Sequence, residues 1–296
     1  MKTLALAAAL MLPAHAQNGG VPVRMVVTVE PHHGAPSPTV SAADIMLYHN
    51  KDRFPVTALT PLRSAGVQLW ILIDDGADTE LGSQLGDLRK FILAQPANFE
   101  VGVGYMRNGT VTSSLRPTTD HELAAKALRL PLGDPGASTS PYMSLQDLIK
   151  KWPPTDRPRE VLMISSGIDP FYGPGPQNPY LQRAIDEAQR AGVVVSSIFF
   201  GGVGHSAHSY WQITWGQNGL SQLAEESGGE FYWQGMSNPV SFSPFLDEFS
   251  RVLNNQYLVT FDAGGKPASF EPIKVRTEIP HVSVVAPSKV YISPKG

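Results

Sequence analysis

Residues 69–78 read LWILIDDGAD. Five apolar residues run directly into two adjacent aspartates, a glycine, an alanine and a third aspartate. An unbroken apolar run of this length is typical of a central strand in a parallel sheet, which is buried on both faces. Such a strand would place Asp74 at its carboxyl end, where open α/β sheets bind their ligands. The stretch therefore predicts a parallel sheet and a candidate site at one edge of it.

Strands and helices alternate through the middle of the chain. After the strand at Gln68–Ile73, the segment Thr79–Ala94 has leucine and isoleucine positions spaced for one helical face. The dipeptide Asn108-Gly109 predicts a tight hairpin turn. Apolar runs predict further strands at 101–106, 160–165, 193–200 and 230–233. This alternation predicts an α/β fold, a doubly wound and mostly parallel sheet covered on both faces.

The two flanks have a different composition and read as short β-strands. Residues 21–63 and 256–296 contain alternating or apolar runs separated by turn residues, and no helical pattern fits the second segment. We expect the flanks to pair as a small all-β module beside an α/β domain at residues 66–255.

Residues 1–16 have the form of a secretory signal peptide. Lys2 is followed by an almost wholly apolar run from Thr3 to Leu12 and by the small-x-small site Ala14-His15-Ala16. The run is about half as long as a bilayer span requires, and no later segment comes close. This pattern predicts an exported protein (periplasmic, cell-surface or secreted) without a stable membrane span after cleavage. An uncleaved signal anchor is the alternative.

Composition excludes several classes of function. The net charge of −3 is small and of the wrong sign for a protein that binds nucleic acid or an anionic membrane. The chain has no cysteine, which excludes disulfides, thiolate metal sites and a cysteine nucleophile. A hydrophobic content of 42% in 296 residues is sufficient for a substantial core without covalent cross-links.

The order of these elements resembles the von Willebrand factor type A domain. That domain has a strand ending in Asp, an oxygen-bearing loop before a helix, and a second strand ending near a Ser/Asp-Gly turn. The flanking sequences SAADIMLY and NQYLVTF resemble the exported bacterial group called VWFA-related acidobacterial proteins. The resemblance covers roughly residues 22 to 292. It implies a Rossmann-like fold with a metal-ion-dependent adhesion site at the carboxyl edge of the sheet.

The resemblance also implies a set of metal ligands. The family uses Asp-x-Ser-x-Ser on one loop, a Thr on a second and an Asp on a third. Asp74 matches the first acid, whereas Gly76 and Asp78 replace the two serines. The other loops offer oxygen atoms as well. The residues that correspond to the site are Asp74, Asp78, Ser138 or Thr139, Ser166, and Asp169 three positions beyond Ser166.

These replacements leave three interpretations open, and the first is an intact adhesion-type site that binds a divalent cation. Extra carboxylates would neutralise a bound cation and give a closed structural site, for Ca²⁺ or Mg²⁺. Alternatively, no metal binds. In that case Asp74 to Asp78 form a solvated turn that caps the helix beginning at Thr79.

A second candidate surface is the stretch SAHSYWQITWGQNG, which reads as a polar loop with aromatic residues. Its candidate partner-binding residues are His205, His208, Tyr210, Trp211 and Trp215. Exposed aromatic loops often form binding surfaces, but the rings could equally fold back over the sheet edge. The segment Gly204-His205-Ser206-Ala207-His208 also resembles a nucleophile elbow, although a histidine replaces its last glycine.

Together these features favour a non-catalytic protein-binding or adhesion module with a degenerate metal site. The partner would be another protein, and the cofactor would be none or a single divalent cation. Two alternatives are an exported serine hydrolase that uses the 204–208 loop and a purely structural envelope protein.

Overall fold

A computed structural model describes residues 22–32, 37–133, 140–172, 177–202, 209–263 and 267–293. Its strands are β1 (Pro22–Pro31), β2 (Ile45–His49), β3 (Asp52–Phe54), β4 (Val56–Pro61), β5 (Gln68–Asp74), β6 (Glu100–Arg107), β7 (Thr110–Thr118), β8 (Arg159–Ser165), β9 (Val193–Phe199), β10 (Phe231–Tyr232), β11 (Gln256–Asp262), β12 (Ser269–Pro272), β13 (Lys274–Thr277), β14 (Val282–Val285) and β15 (Lys289–Ile292). Its helices are α1 (Leu62–Ala65), α2 (Leu85–Leu93), α3 (His121–Lys126), α4 (Pro141–Lys151), α5 (Pro179–Ala191), α6 (Tyr210–Ser227) and α7 (Ser243–Asn254), with short 3-10 helices at Ala42–Asp44 and Thr79–Gln84.

Six strands form the central sheet, in the order β10-β9-β8-β5-β6-β7. All neighbouring pairs are parallel except β6 and β7, which are antiparallel. Numbered along the chain from β5, this is the 3-2-1-4-5-6 order of the Rossmann type. Asn108 and Gly109 join β6 to β7 with φ values of 51° and 71°, as a tight hairpin turn requires. The predicted doubly wound fold and the predicted hairpin are both confirmed.

The apolar sequence of β5 follows from burial on both faces. Leu69, Ile71 and Ile73 pack in the layer that contains α2, α3 and α7. Trp70 and Leu72 pack in the opposite layer with α4, α5 and α6. All five side chains are at most 6% exposed. Because β5 lies inside the sheet, its carboxyl end is flanked by the ends of β6 and β8.

The two flanking segments pair with each other in small antiparallel sheets. β1 lies between β11 and β14, and β11 also pairs with β4. β2 pairs with β13 and β3, while β12 pairs with β15. The inward side chains of these strands, including Val27, Leu47 and Phe261, form a third hydrophobic cluster.

Two elements differ from the sequence prediction. The segment after Thr79 starts as a 3-10 helix and becomes α-helical only at Leu85, in a stretch weakened by two glycines. α6 begins at Tyr210 and continues through Gly216 and Gly219, the two glycines in its middle. Ser209 and Gln212 form a capping box that starts it there. The prediction that the stretch through Trp215 is a loop is therefore wrong for its aromatic part.

Several predicted features lie outside the described residues. They are residues 1–16, Ser138, Thr139, His205, Ser206 and His208. Within the described part of the chain, no helix is both long and apolar enough to cross a membrane.

Candidate functional site at the carboxyl edge of the sheet

Asp74 ends β5 as a buried carboxylate, only 1% exposed. Its Oδ1 accepts the N–H of Gly76 at 3.0 Å, and its Oδ2 accepts the hydroxyl of Ser165 at 3.1 Å. Ser165 ends the neighbouring strand β8, and its Oγ also accepts the N–H of Gly167. Hydrogen bonds to an ionised carboxylate stabilise its charge. The carboxylate therefore ties the ends of two adjacent strands together.

Asp75 is bound by arginine instead. The Arg129 guanidinium donates to its two carboxylate oxygens at 2.7 and 3.1 Å, and the N–H of Leu132 donates at 3.0 Å. The guanidinium of Arg107 lies 3.8 Å away. Arg129 also lies over the ring of Tyr105, 3.7 Å from its centroid. The hydrogen bonds that Arg129 donates to Asp75 raise the pKa of Arg129 above its ordinary value.

Asp78 belongs to a hydrogen-bonded ring that joins three loops. Its Oδ1 caps the 3-10 helix by accepting the Glu80 N–H at 3.0 Å, and its own N–H donates to the Gly202 carbonyl. The Gly202 N–H donates to Asn238, whose amide donates to the Glu80 carboxylate. A Cβ on residue 202 would lie 2.3 Å from Asp78 Oδ2, so a side chain there would displace the Asp78 carboxylate from this ring. The predicted capping by Asp78 is confirmed.

Asp169 joins the starts of two helices. Its Oδ2 accepts the Ser140 hydroxyl at 2.8 Å and the Asn178 amide at 3.2 Å, and its Oδ1 accepts the Phe171 N–H. Ser140 and Asn178 are the N-caps of α4 and α5. Asp169 is 5% exposed. The sequence predicted an oxygen-rich loop here, but it did not predict that the carboxylate would link two caps.

The described members of the predicted metal set are engaged with protein donors. Asp74, Asp78 and Asp169 accept the bonds given above, and Ser166 accepts the N–H of Ile168 at 3.3 Å. Oxygens that already accept N–H and O–H groups have less capacity for a hard cation. Among the described residues, no group of three or more histidine or acidic side chains is arranged to hold a metal ion. The described acids and hydroxyls of this set are therefore occupied by donors of the protein itself. The full set, which includes two residues outside the described ranges, stays a prediction.

The interpretation as a solvated turn is also only partly right. Asp78 does cap the following helix. Asp74 and Asp75, however, are 1% and 2% exposed, so neither carboxylate is hydrated by bulk water. Three neighbouring acids are tolerated here because each one has a different set of protein donors.

An aromatic cluster occupies the first turns of α6, beyond the carboxyl end of β9. The Tyr210 and Trp211 side chains are 59% and 62% exposed. Their rings meet edge to face with centroids 5.6 Å apart. Trp215, one turn later, is half-buried with its centroid 6.3 Å from that of Trp211. The first two rings therefore face solvent, while the third covers part of the surface below them.

Further exposed apolar side chains follow the neighbouring strands. Phe171 and Tyr172 come after β8, and Trp233 and Met236 come after β10; each is more than 40% exposed. No sequence motif singles out Phe171 and Tyr172. Their position directly before the Gly- and Pro-rich run GPGP would have placed them on a surface loop.

α6 is fixed to the turn after β8 by close backbone contact. Gly167 has φ 69°, and a Cβ there would lie 2.2 Å from the Gly216 carbonyl oxygen. A Cβ on residue 216 would lie 2.3 Å from the Ser166 carbonyl oxygen. Only glycines allow this packing, which holds the aromatic cluster in place relative to the sheet.

No protein-family model matches the chain, and no curated protein matches it either. Similar solved structures include an aerotolerance-related membrane protein from Bacteroides fragilis with multiple mutations to serines, 13% identical over 64% of this chain and 99% of that one, with a TM-score of 0.47. BatB from Bacteroides thetaiotaomicron is 15% identical over 63% and 98%, also with a TM-score of 0.47. A von Willebrand factor type A protein from Catenulispora acidiphila is 9% identical over 93% and 74%, with a TM-score of 0.45. The last carries the name of the domain type that the sequence resembles. At these identities and TM-scores the likenesses carry no argument about function, and the fold rests on the strand order.

Proposed function

We propose that this chain is a non-catalytic protein-binding module whose partner contacts the carboxyl edge of the central sheet. The observation that carries the proposal is the exposed pair Tyr210 and Trp211 on a helix held by close backbone packing. Tyrosine and tryptophan are the residues most often found at the energetic centre of protein interfaces. A rigid presentation reduces the entropy lost on binding. Export, which rests on the signal-peptide pattern, is part of the same proposal.

The hydrogen bonds of the three acids support a degenerate form of the metal site. Asp74, Asp75 and Asp78 are each held by N–H, O–H or guanidinium donors. Their charges are therefore compensated without a cation. We infer that this edge binds its partner through aromatic surface and hydrogen bonds rather than through a bridging metal ion.

Replacing Trp211 with alanine should weaken binding of the natural partner about thirtyfold or more, since loss of an aromatic interface anchor typically costs at least about 2 kcal/mol. Tyr210→Ala should weaken it by a smaller factor. The measurement is the dissociation constant for the partner isolated with the wild-type chain, after circular dichroism shows that each variant is folded.

The matched control is Leu93→Ala. Leu93 is also an exposed large apolar residue (46%), but it ends α2 near the opposite edge of the sheet. Its replacement should leave the dissociation constant unchanged. If Leu93→Ala and Trp211→Ala behave alike, the contact surface is elsewhere and a structural role becomes the better interpretation.

Divalent cations should have no specific effect on the protein. Calorimetric titration of the mature chain with Mg²⁺, Mn²⁺ and Ca²⁺ should give no saturable heat, and a chelator should not change partner affinity. The physical reason is that the predicted ligands already accept protein hydrogen bonds. A saturable heat that disappears in Asp74→Ala would restore the metal-dependent adhesion hypothesis.

A further inference from the structure

A cavity lies beside the edge strand of the central sheet, outside the aromatic surface. It has a volume of about 480 Å³ and is enclosed by the edge strand β7, the start of β5 and the end of α4 with the Pro153-Pro154 segment that follows. We call it the β7–α4 cavity. Its size falls within the range of about 300–1,000 Å³ that is usual for small-molecule sites.

Two glycines of β6 make room for side chains that line this cavity, Gly102 for Trp70 and Gly104 for Val111. A Cβ on Gly102 would lie 3.0 Å from the ring atoms of Trp70, and one on Gly104 would lie 2.8 Å from Val111. Glycine inside a strand often marks such a close approach. The Trp70 ring therefore lies over β6 and reaches the edge of the sheet.

The walls are flat, stiff and mostly apolar. Trp70 and Trp152 meet edge to face with centroids 6.2 Å apart. Leu148, Pro117 and Pro153 complete the apolar lining. Aromatic rings and prolines lose little conformational freedom when a ligand packs against them, so such a surface favours a flat apolar body.

The polar groups select the charge of the ligand. The Asp147 carboxylate already accepts the Lys151 ammonium at 2.8 Å and the Val111 N–H at 3.0 Å. Arg116 is exposed, and no carboxylate in the described residues pairs with it. With Arg116 and Lys151 against Asp147, the lining carries a net charge of +1 (2 − 1). The lining therefore favours an anionic ligand over a cationic one.

One donor near the cavity is unused. The indole N–H of Trp70 is buried without a hydrogen-bond partner in the described residues, whereas that of Trp152 donates to Gln68 at 2.8 Å. An indole N–H can only donate. Because this N–H has no accessible surface, a ligand would meet the Trp70 ring rather than its donor, and the charge preference rests on Arg116 and Lys151.

We propose that the β7–α4 cavity binds a small carboxylate with a flat apolar body, the body against Trp70 and Trp152 and the carboxylate at Arg116. This inference is independent of the proposed protein-binding edge, because it involves neither α6 nor the loops after β8, β9 and β10.

Phenylacetate serves as the probe, with phenylacetamide and benzylamine as neutral and cationic analogues. Binding is measured on the ¹⁵N-labelled full chain through the indole N–H resonances of its five tryptophans, assigned with Trp→Phe variants. We expect saturable shifts at Trp70 and Trp152, strongest for phenylacetate, weaker for phenylacetamide and absent for benzylamine. Tyr210, Trp211 and Trp215 lie elsewhere, so the resonances of Trp211 and Trp215 should not move.

Two variants test the geometry. Ser113→Phe fills the cavity from the exposed face of β7 and should reduce the affinity for both phenylacetate and phenylacetamide at least tenfold. Arg116→Ala should reduce only the affinity for phenylacetate, about two- to fivefold, as expected for an exposed ion pair. Arg183→Ala, an exposed arginine of α5, should change neither.

The proposal is overturned if the Trp70 and Trp152 resonances do not shift up to the solubility limit of phenylacetate. It is also overturned if benzylamine binds as well as phenylacetate, or if Ser113→Phe leaves binding intact. Ser113 and Arg116 are both exposed, so we expect their replacement to leave the fold intact. Unchanged resonances outside the cavity will show that each variant is folded.

Discussion

Asp75→Ala is expected to lower the free energy of unfolding by about 3 kcal/mol. Asp75 is 2% exposed and accepts two hydrogen bonds from Arg129 and one from the Leu132 N–H. Removing it leaves a guanidinium and a backbone donor without their acceptor. Breaking a buried ion pair in this way typically costs about 3–5 kcal/mol, and the 38% exposure of the Arg129 side chain places the effect at the lower end. Chemical denaturation followed by circular dichroism measures it.

The matched control is Asp156→Ala. Asp156 also pairs with an arginine, Arg24, at 3.4 Å, but its side chain is fully exposed. Its loss should leave stability unchanged, because exposed ion pairs are screened by water. A double-mutant cycle of Asp75→Ala with Arg129→Met should show strong coupling. A cost below about 1 kcal/mol for Asp75→Ala would mean that water replaces the lost partner and that the pair does not organise this edge.

Glu160→Gln is expected to make the protein more stable at neutral pH. Glu160 lies at the start of β8 with no exposed surface, and both of its carboxyl oxygens lack a partner in hydrogen-bond geometry. The Gln256 side chain is also buried with unmet hydrogen-bonding capacity. Burial raises the pKa of Glu160 well above its usual value, and the nearby Gln256 amide only partly offsets this rise.

The direction of the pH dependence follows from proton linkage. Because the pKa of Glu160 is higher in the folded state, the folded chain holds a proton that the unfolded chain releases. This contribution is fully present below the unfolded pKa of about 4.5 and is lost as the pH rises toward the folded pKa. Over that window the wild-type free energy of unfolding should fall, relative to the variant, by up to about 1.4 kcal/mol per pH unit.

The measurement is a series of urea denaturation curves from pH 4 to pH 8 for wild type and Glu160→Gln. Glu230, whose pKa is raised to about 7 mainly by burial, remains in both proteins and cancels in the difference. Glu225→Gln, at an exposed position of α6, provides the control and should track the wild type. A difference curve that stays flat with pH would show that Glu160 ionises freely and that its surroundings are hydrated.

Local sequence was sufficient to predict the central strand and its neighbours. β5 is apolar at every position from Leu69 to Ile73 because both of its faces are covered, so its pattern requires no knowledge of the partner elements. The Asn108-Gly109 turn is equally local, since its φ values depend on those two residues. α6 was missed at its start because its glycines weaken the helical signal.

The candidate site depended much less on local sequence. Asp75 and Arg129 are 54 positions apart, and nothing in either neighbourhood indicates that they meet. Ser140 and Asp169 meet only because α4 and the loop after β8 both begin at the same sheet edge. The sequence predicted that oxygen-bearing loops would lie at this edge. It did not predict which donor would receive each acid.

By itself, the sequence determined an alternating α/β chain with an acidic strand end at its centre, because helix and strand periodicity and turn chemistry act over a few residues. The tertiary structure decided that the three acids are compensated by arginine, by backbone N–H groups and by a serine hydroxyl. It also decided that Tyr210 and Trp211 remain exposed. Both outcomes depend on contacts between residues far apart in the chain, whose geometry is set only when the layers pack.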